Sequence, residues 1–354
     1  MSHFEERLEA DLKHIRQWVW DMGDEVERAL LNAKTALLLR NEDLAYATVL
    51  GDNPINRKSR ACDRLCHTFI ARHLPGAGHL REMAATIRVN VALERIGDYA
   101  VTISRESLQL QQDLPEKFVI QIDRLADEAF QILHESRVSF RDSNAELARA
   151  LMQMAKQVEG KMDSIYDSLF AESNGLNAGS ALAIFVAFNM LKRVADQAKN
   201  ICDQTFYAVR GVAKIPKIYR ILFLAPPDSV LGQLAVAIGR KTCPTAATFD
   251  AATPKTSLQV SAPLQSFLAE TGLPDENLET HRLELLTHDL SGFDVIISLD
   301  GRVSDYIASV PFHTTALNWS LPVDGAGTDF STAYRVLRSQ ISALIDLLAG
   351  EEAA

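Results

Sequence analysis

Two carboxylates spaced four residues apart, Glu94 and Asp98, are embedded in the hexapeptide LERIGD. In a helix this spacing places both side chains on one face, one turn apart, beside an apolar stripe. Carboxylate oxygens in such an arrangement bind a hard cation or iron when a neighbouring helix supplies further oxygen ligands. Asp52 and Asn56 share the four-residue spacing and are candidates for that contribution. Spacing alone leaves a second interpretation open, in which the carboxylates pair with Arg95 or with a basic residue on a facing helix.

The hexapeptide belongs to an internal repeat. Ninety-eight residues later, Leu191 begins a second copy in which Leu, Arg, Asp, Ala and Ile keep the same register. Apolar residues recur at helical spacing over six stretches: 3–39, 42–72, 79–110, 116–140, 145–172 and 176–209. Gly51 and Pro54 predict a break or kink in the second of them. Each motif copy lies in the third helix of a trio, and short connections favour antiparallel neighbours, so we predict tandem three-helix bundles over residues 1–113 and 114–213.

After residue 217 the pattern changes to alternating strands and helices. Buried strands are predicted at 218–224, 245–249, 293–299 and 314–317, and helices at 231–241, 266–271, 302–310 and 328–349. Such alternation predicts a Rossmann-like α/β domain over residues 218–354, with a mostly parallel sheet. Ligands of a domain of this kind are expected where strands end and helices begin.

Composition narrows the functional class. The formal charge of −10 argues against nucleic acid as a partner, because its phosphates require basic patches. From Lys217 onward nine Lys and Arg stand against sixteen Asp and Glu, so the C-terminal third is the acidic part. Four cysteines are too few for a disulfide framework, and we expect a reduced cytoplasmic protein. The most apolar stretch, 178–191, is shorter than the ~20 residues that cross a bilayer, and we expect a buried helix rather than a membrane-embedded one.

The tandem trios and the LERIGD hexapeptide, together with the octapeptide VLGDNPIN at 49–56, resemble the PhoU family of phosphate-transport regulatory proteins. The resemblance extends over about residues 1–213. It implies an α-helical cytoplasmic protein that dampens the phosphate-starvation response and so regulates phosphate uptake and homeostasis. It also implies contacts with the ATPase of the phosphate ABC transporter and with a sensor histidine kinase, which would bring the protein to the inner face of the membrane. The exposed surface of long bundles and the family pattern suggest a homodimer.

Members of this family bind multinuclear metal clusters through such carboxylates. The resemblance therefore implies divalent or iron-type metal ions in the first bundle, with four ligands: Asp52, Asn56, Glu94 and Asp98. The second copy departs from the family pattern, because Lys192 stands where the first carboxylate belongs and Ala155 where an upstream acidic residue is usual. An ammonium group there would repel a cation at close range. We therefore expect metal in the first bundle, and Glu159 and Asp196 are weaker ligand candidates.

The α/β domain is similar to low-molecular-weight tyrosine phosphatases and to the arsenate reductases built on that fold. The similar segments are 221–235, 293–300 and 318–322. Those enzymes attack with the thiolate of a Cys-x5-Arg loop, whose backbone N–H groups and Arg hold the oxyanion. This chain has Ala225 at the cysteine position and Leu231 at the arginine position, and Pro226 and Pro227 remove two backbone donors. Asp324 is at best a displaced equivalent of their acid, so we predict a degenerate domain without catalytic residues.

Two alternatives from other classes stay open. The protein could be an unorthodox arsenate reductase or phosphatase that uses Cys243, although no basic anion cradle accompanies that residue. It could also be a metal storage or sensing module in which regulation is secondary. The sequence favours a PhoU-type regulator fused to an inactive phosphatase-like domain, which acts by binding proteins and metal rather than as an enzyme.

Overall fold

The computed structural model describes residues 3–161, 168–169, 176–211, 217–227, 229–254, 260–278, 280–286, 290–311, 314–319, 321 and 330–350. The chain forms two compact units, Met1–Lys214 and Ile215–Ala354. Helices build the first unit, and a parallel sheet with helices builds the second. The predicted fold class, a helical part followed by a Rossmann-like α/β domain, is confirmed.

Within the described residues, the first unit contains six long helices. They are α1 (His3–Leu39), α2 (Glu42–His73), α3 (Ala77–Ser107), α4 (Glu116–Arg141), α5 (Ala145–Gly160) and α6 (Ala178–Arg210). Helices α1, α2 and α3 pack against one another, and so do α4, α5 and α6. The two trios join where α3 packs against α6 and where α1 packs against α4. One copy of the motif therefore lies in each trio, in α3 and in α6.

One continuous apolar core holds the six helices together. It forms because apolar side chains recur every three or four residues and cover one face of each helix. Its largest fully buried side chains include Phe69 from α2, Leu93 from α3, Phe118 from α4 and Phe188 from α6. Burying a side chain of this size contributes about 1.5–3 kcal/mol. Packing of these faces, more than local propensity, therefore decides where α3 and its motif lie.

Helix α2 runs without interruption across Gly51 and Pro54, so the predicted break is wrong. Proline in a helix interior costs about 3 kcal/mol, because it removes one hydrogen bond and crowds the preceding turn. Pro54 lies on the exposed side of α2, whereas Ile55 and Phe69 are buried in the core. Burial of the apolar face of α2 outweighs the local penalty.

A buried arginine joins α4 to α1. Arg137 Nη2 donates to the backbone oxygen of Trp20 at 2.8 Å and to Asp24 Oδ1 at 2.6 Å, and Nη1 pairs with Glu27. The guanidinium also lies over the Trp20 ring, 4.4 Å from its centroid. Room for it exists because Gly23 has no side chain, and a Cβ at this position would overlap Arg137 Nε. The contact between α1 and α4 thus depends on a glycine that faces a buried cation.

The second unit is built on a five-stranded sheet with the order β3-β2-β1-β4-β5 among its described residues. The strands are β1 (Tyr219–Leu224), β2 (Ala247–Thr253), β3 (His281–Arg282), β4 (Val295–Ser298) and β5 (Thr315–Asn318). The described pairings are parallel, and central strand β1 has Leu222 opposite Asp250 on one side and Ile296 on the other. A parallel sheet of this kind must be covered on both faces.

Alternate residues of β1 contribute to two separate apolar clusters. The helices of this unit are α7 (Leu231–Thr242), α8 (Ala262–Thr271), α9 (Leu283–Leu286) and α10 (Phe330–Ala349). Ile221 and Phe223 pack with residues of α7, α8 and α10. Leu222 and Leu224 pack on the other face in a second cluster with Phe293, with Leu283 of α9 and with Ile296 of β4. Both faces of the central strand are therefore buried, which explains its continuous apolar run.

The prediction of a helix over residues 302–310 is wrong. A 3₁₀ turn, Val303–Asp305, stands in its place. The Asp305 carboxylate accepts a hydrogen bond from the Arg302 N–H at 2.8 Å, and Asn318 Oδ1 accepts one from the Val303 N–H at 2.8 Å. These two side-chain acceptors satisfy the first amides of the turn and compete with helix extension. The bond from Asn318 comes from β5, so a local pattern could not reveal it.

Replacing Gly23 by Ala should destabilise the helical unit, because the new methyl group must displace the Arg137 guanidinium from its carboxylate partners. We expect a loss of about 1–3 kcal/mol in the free energy of unfolding, as for overpacked cores. Urea unfolding followed by circular dichroism measures it. Gly51→Ala is the matched control, since nothing lies within 4 Å of a Cβ there and alanine favours a helix by about 1 kcal/mol. Equal effects of both substitutions would contradict the proposed contact.

Candidate functional site

The glycine of the LERIGD motif lets two helices approach each other where the carboxylates lie. Gly97 is buried on the side of α3 that faces α2. A Cβ at this position would lie 3.4 Å from Ile55 Cγ2 and 3.5 Å from Asp52 Oδ1. A side chain longer than a methyl group would therefore push α2 away. A small residue at position 97 thereby allows Asp52 of α2 to lie near Glu94 and Asp98 of α3.

The carboxylates of Asp52 and Glu94 are partly buried, and they are repelled by each other and by the exposed carboxylate of Asp98. Burial raises the pKa of Asp52 and the charge of Asp98 raises it further, whereas the hydrogen bond from Asn56 and the charge of Arg105 oppose both effects. Burial likewise raises the pKa of Glu94, and the charges of Asp98 and Asp52 raise it further, while the charge of Arg95 lowers it in part. A raised carboxyl pKa means that ionisation of the group destabilises the folded state. A cation bound in this region would remove that repulsion.

Two buried oxygen atoms, one of the Asp52 carboxylate and one of the Asn56 amide, lack a hydrogen-bond donor. Asn56 Nδ2 donates to Asp52 Oδ2 at 2.6 Å, whereas Asp52 Oδ1 and Asn56 Oδ1 are buried without a partner. Leaving a buried acceptor unsatisfied costs about 1–3 kcal/mol. A hard cation would satisfy both atoms, because it prefers oxygen ligands. The donor atoms of the first bundle thus fit the type of ion that the family resemblance implies.

These side chains are near one another but are not arranged around a common point. Within the described residues, no three His, Cys, Asp or Glu side chains are close enough together to hold a metal ion as they stand. The Asp98 side chain is exposed, and Asn56 offers an amide oxygen rather than a carboxylate. Ligation in this region therefore requires the side chains to rotate towards one another.

The second copy of the motif forms an ion pair within α6. Lys192 Nζ lies 3.2 Å from Asp196 Oδ2, one helical turn further along. Ala155, at the position of the usual upstream acidic residue, is buried in the core. The side chain of Glu159 lies outside the part of the chain that the structure describes. Because an ammonium group already compensates the charge of Asp196, a cation has less to gain in this copy.

Asn90, which the sequence pattern did not single out, lies one turn before Glu94 on α3. It is fully buried, and its Nδ2 donates to the backbone oxygen of Ser59 at 3.0 Å and to Asp63 Oδ1 at 2.9 Å, both on α2. These bonds fix the register of α3 against α2 beside the carboxylates. The sequence feature that could have identified Asn90 is its position four residues before Glu94, the same spacing that separates Glu94 from Asp98.

The loop that follows β1, residues 225–230, contains neither a thiol nor a cationic side chain. Ala225 is fully buried, and its N–H donates to the backbone oxygen of Ala252 at 3.1 Å. This amide extends the strand pairing and does not face an anion. Leu231 opens α7 and packs in the apolar core. The Ser229 hydroxyl accepts a hydrogen bond from the Leu231 N–H at 3.3 Å, which occupies a further donor at the helix start.

Cys243, the nucleophile of the enzymatic alternative, lies at the opposite end of α7 from this loop. The 12 residues of α7 separate the two by about 18 Å of helix. Burial raises the pKa of the Cys243 thiol, and the charge of Asp346 raises it further, so the reactive thiolate is disfavoured. Asp324 lies outside the described residues. The geometry around Cys243 gives the enzymatic alternative no support.

Two trios of long helices, each with one copy of the same motif, define an all-α unit with an internal repeat. A model of the PhoU domain matches residues 19–107 and 122–205, one match in each trio. The phosphate-specific transport system accessory protein PhoU of Edwardsiella tarda is 30% identical over 212 residues, which cover 59% of this chain and 87% of that protein. The protein of that name from Escherichia coli K12 is 28% identical over 212 residues, with coverages of 59% and 88%. The crystal structure of PhoU from Pseudomonas aeruginosa superimposes with a TM-score of 0.55 at 28% identity, over 58% of this chain and 99% of that chain.

The chain belongs to the PhoU family. The resemblance predicted over about residues 1–213 is thereby confirmed for the helical unit. The second match to the family model ends at residue 205, before β1 begins at Tyr219. The α/β unit is therefore an addition to the family domains, and its likeness to phosphatases stays a prediction.

Proposed function

We propose that the protein is an accessory regulator of a phosphate transport system that restrains phosphate uptake and the phosphate-starvation response. The observation that carries this proposal is the pair of PhoU domain matches within the helical unit. The relatives are named as accessory proteins of phosphate-specific transport systems, which describes neither a transporter nor an enzyme. Regulation through protein contacts is the mode of action that fits such a name.

Two partners fit this proposal: the ATPase of a phosphate ABC transporter and a sensor histidine kinase, both at the inner face of the membrane. A homodimer belongs to the same proposal. By length and composition α6 could cross a membrane, but Ile184, Phe188 and Leu191 are buried in the core of the helical unit. Because α6 is needed for that packing, attachment through partners is favoured over insertion.

Deleting the gene should derepress phosphate-starvation genes in phosphate-replete cells, because the restraint on the response would be lost. A transcriptional reporter for a starvation gene and the rate of phosphate uptake measure the effect. Re-expression of the full chain should restore repression and serves as the control. A deletion strain with wild-type reporter activity and wild-type uptake in high phosphate would refute the regulatory proposal.

We further propose that the first bundle binds a hard cation, divalent or iron-type, through Asp52, Asn56, Glu94 and Asp98. Support comes from the two unpartnered buried oxygens and from the mutual repulsion of the carboxylates. When bound, such an ion supplies positive charge that neutralises the carboxylates. The residues of α2 and α3 would then be held together by shared ligation, in addition to the bonds made by Asn90. A storage or sensing role would use the same ligands.

Replacing Glu94 and Asp98 together by alanine should abolish specifically bound metal, because two of the four oxygen ligands are lost. Elemental analysis of the purified protein measures metal per chain, and the shift in melting temperature on chelation measures its contribution to stability. Lys192→Ala is the matched control from the second copy and should leave metal content unchanged. Metal that survives the double substitution at its original stoichiometry would show that the ligands lie elsewhere.

The α/β unit is proposed to be a binding module without catalytic activity. A covalent phosphatase mechanism needs a thiolate where β1 ends, with N–H donors and positive charge around the oxyanion, a contribution on the order of several kcal/mol. Ala225 has no nucleophilic atom, and Leu231 buries an apolar side chain where a guanidinium would be needed. The scaffold is nevertheless well packed on both faces of β1. A retained fold with a dismantled loop favours use as an interaction surface.

The protein should hydrolyse p-nitrophenyl phosphate, and reduce arsenate with a thiol reductant, no faster than a buffer blank. Ala225→Cys combined with Leu231→Arg should restore little activity, because Pro226 and Pro227 still lack amide donors. Cys243→Ser tests the alternative nucleophile. Turnover by the unmodified protein that disappears in this variant would refute the inactive assignment.

A further inference from the structure

A groove runs between α3 and α6, and contacts at its two ends define its course. Arg88 Nη1 donates to Gln204 Oε1 at 3.3 Å and lies over the ring of Tyr207, 5.6 Å from its centroid. At the other end Gln197 Nε2 donates to the Tyr99 hydroxyl at 3.4 Å. Because positions rise along α3 as they fall along α6, the two helices are antiparallel. They enclose a groove of about 690 Å³.

This groove is positively charged in a protein whose formal charge is −10. Arg88 and Arg95 line the α3 wall, and the carboxylate among the lining residues is Asp203. Arg193 lies beyond these lining residues, with its guanidinium 5.9 Å from the centroid of the Tyr99 ring. The lining thus carries two guanidinium groups against one carboxylate, and this excess of positive charge attracts negatively charged side chains.

The contacts of Arg88 hold its guanidinium without neutralising it. Its partners are the neutral amide of Gln204 and the ring of Tyr207, so the charge remains available while the side chain is restrained. Between the arginines lies Val91, which is 39% exposed. Asn200, on the opposite wall, adds an amide that can both donate and accept hydrogen bonds. The groove thus combines fixed positive charge, an apolar floor and neutral polar groups.

We propose that this groove is the docking site of an acidic amphipathic helix from a protein partner, an inference that rests on the proposed regulatory function. The α3 wall from residue 87 to 95 and the α6 wall from residue 197 to 207 extend over about 12 and 15 Å. That length matches two to three turns of a helix. A pair of antiparallel helices presents ridges and a groove into which a third helix packs.

The chemistry of the walls specifies the docked helix. Val91 would contact an apolar side chain on its buried face. Arg88 and Arg95 are seven residues apart, so carboxylates at about the same interval on either flank of that apolar side chain would reach both guanidinium groups. Pairing with carboxylates makes binding sensitive to salt, because the groove is open to solvent.

The probe for this inference is a fluorescein-labelled 18-residue peptide with leucines along one helical face and glutamates on both flanks. A second peptide with every Glu replaced by Gln keeps the apolar face and removes the charge. Fluorescence anisotropy at low salt measures the binding of each peptide to the full-length protein. A single-stranded oligonucleotide with the same label serves as a non-peptide polyanion.

The protein variants test the position of the site. Arg88→Gln combined with Arg95→Gln removes the charge of the α3 wall, while Arg124→Gln removes an exposed arginine from α4 and is the matched control. We expect the acidic peptide to bind the wild type and the control equally. The double variant should bind it at least tenfold more weakly, and the Gln peptide should bind the wild type at least tenfold more weakly. Unchanged melting temperatures of the variants show that the fold is retained.

Several results would overturn the inference: no binding of the acidic peptide to the wild type, equal binding by the double variant, or equal binding of the Gln peptide. Tighter binding of the oligonucleotide that depends on the same arginines would also overturn it, since the groove would then take nucleic acid.

A strain carrying the double variant separates this inference from the proposed function. If gene deletion leaves starvation genes repressed, the regulatory proposal is wrong. The peptide titrations then still test whether the groove binds an acidic helix. If deletion derepresses those genes, we expect the double variant at wild-type abundance to derepress them as well. Full repression by that variant would exclude the groove as the docking site of a regulatory partner.

Discussion

Helix α3 packs against three other helices at once, and the arrangement of the first unit depends on this packing. It packs against α1, α2 and α6. Leu93 and Ile96 enter the apolar core, Gly97 lets α2 approach, and Arg95 faces the groove beside α6. A residue change in this stretch therefore affects packing, the carboxylate region or the groove according to the side on which it falls. This explains why one hexapeptide contains apolar, acidic, basic and glycine residues without a break in helical spacing.

The two copies of the motif differ in how the negative charge of their carboxylates is compensated. In the first copy burial and mutual repulsion raise the pKa of Asp52 and of Glu94, and buried oxygens lack donors. In the second copy Lys192 pairs with Asp196 and compensates its charge within one helix. Partial burial of several carboxylates close together is unfavourable unless positive charge compensates it. In the first copy the charges of Arg95 and Arg105 offset only part of this effect, because the pKa values of Asp52 and Glu94 stay raised, and this is the physical basis for the proposed metal site.

In the second unit the packing that stabilises the fold does not depend on chemically reactive residues in the loop after β1. Residues of β1 are buried on both faces of the sheet, and α7, α8 and α10 cover one of those faces. That packing does not require a nucleophile or a cation at the end of β1, which a phosphatase-like oxyanion site would need. A loop at the end of β1 can therefore lack a nucleophile and a cation while the sheet remains intact. Ala225 illustrates this, since its amide continues the pairing of β1 with β2.

The sequence by itself determined the long helices, the register of the repeat, the buried central strand and the absence of a thiol at position 225. These are properties of local periodicity or of residue identity, and the family resemblance rested on the same local features. Only the tertiary structure decided that α2 continues across Pro54, that a turn replaces the helix predicted over 302–310, and that Asn90 fixes the register of α3. It also decided which side chains line the groove beside α6. Each of these features depends on contacts between residues far apart in the chain, and their free energies are as large as the local preferences that they override.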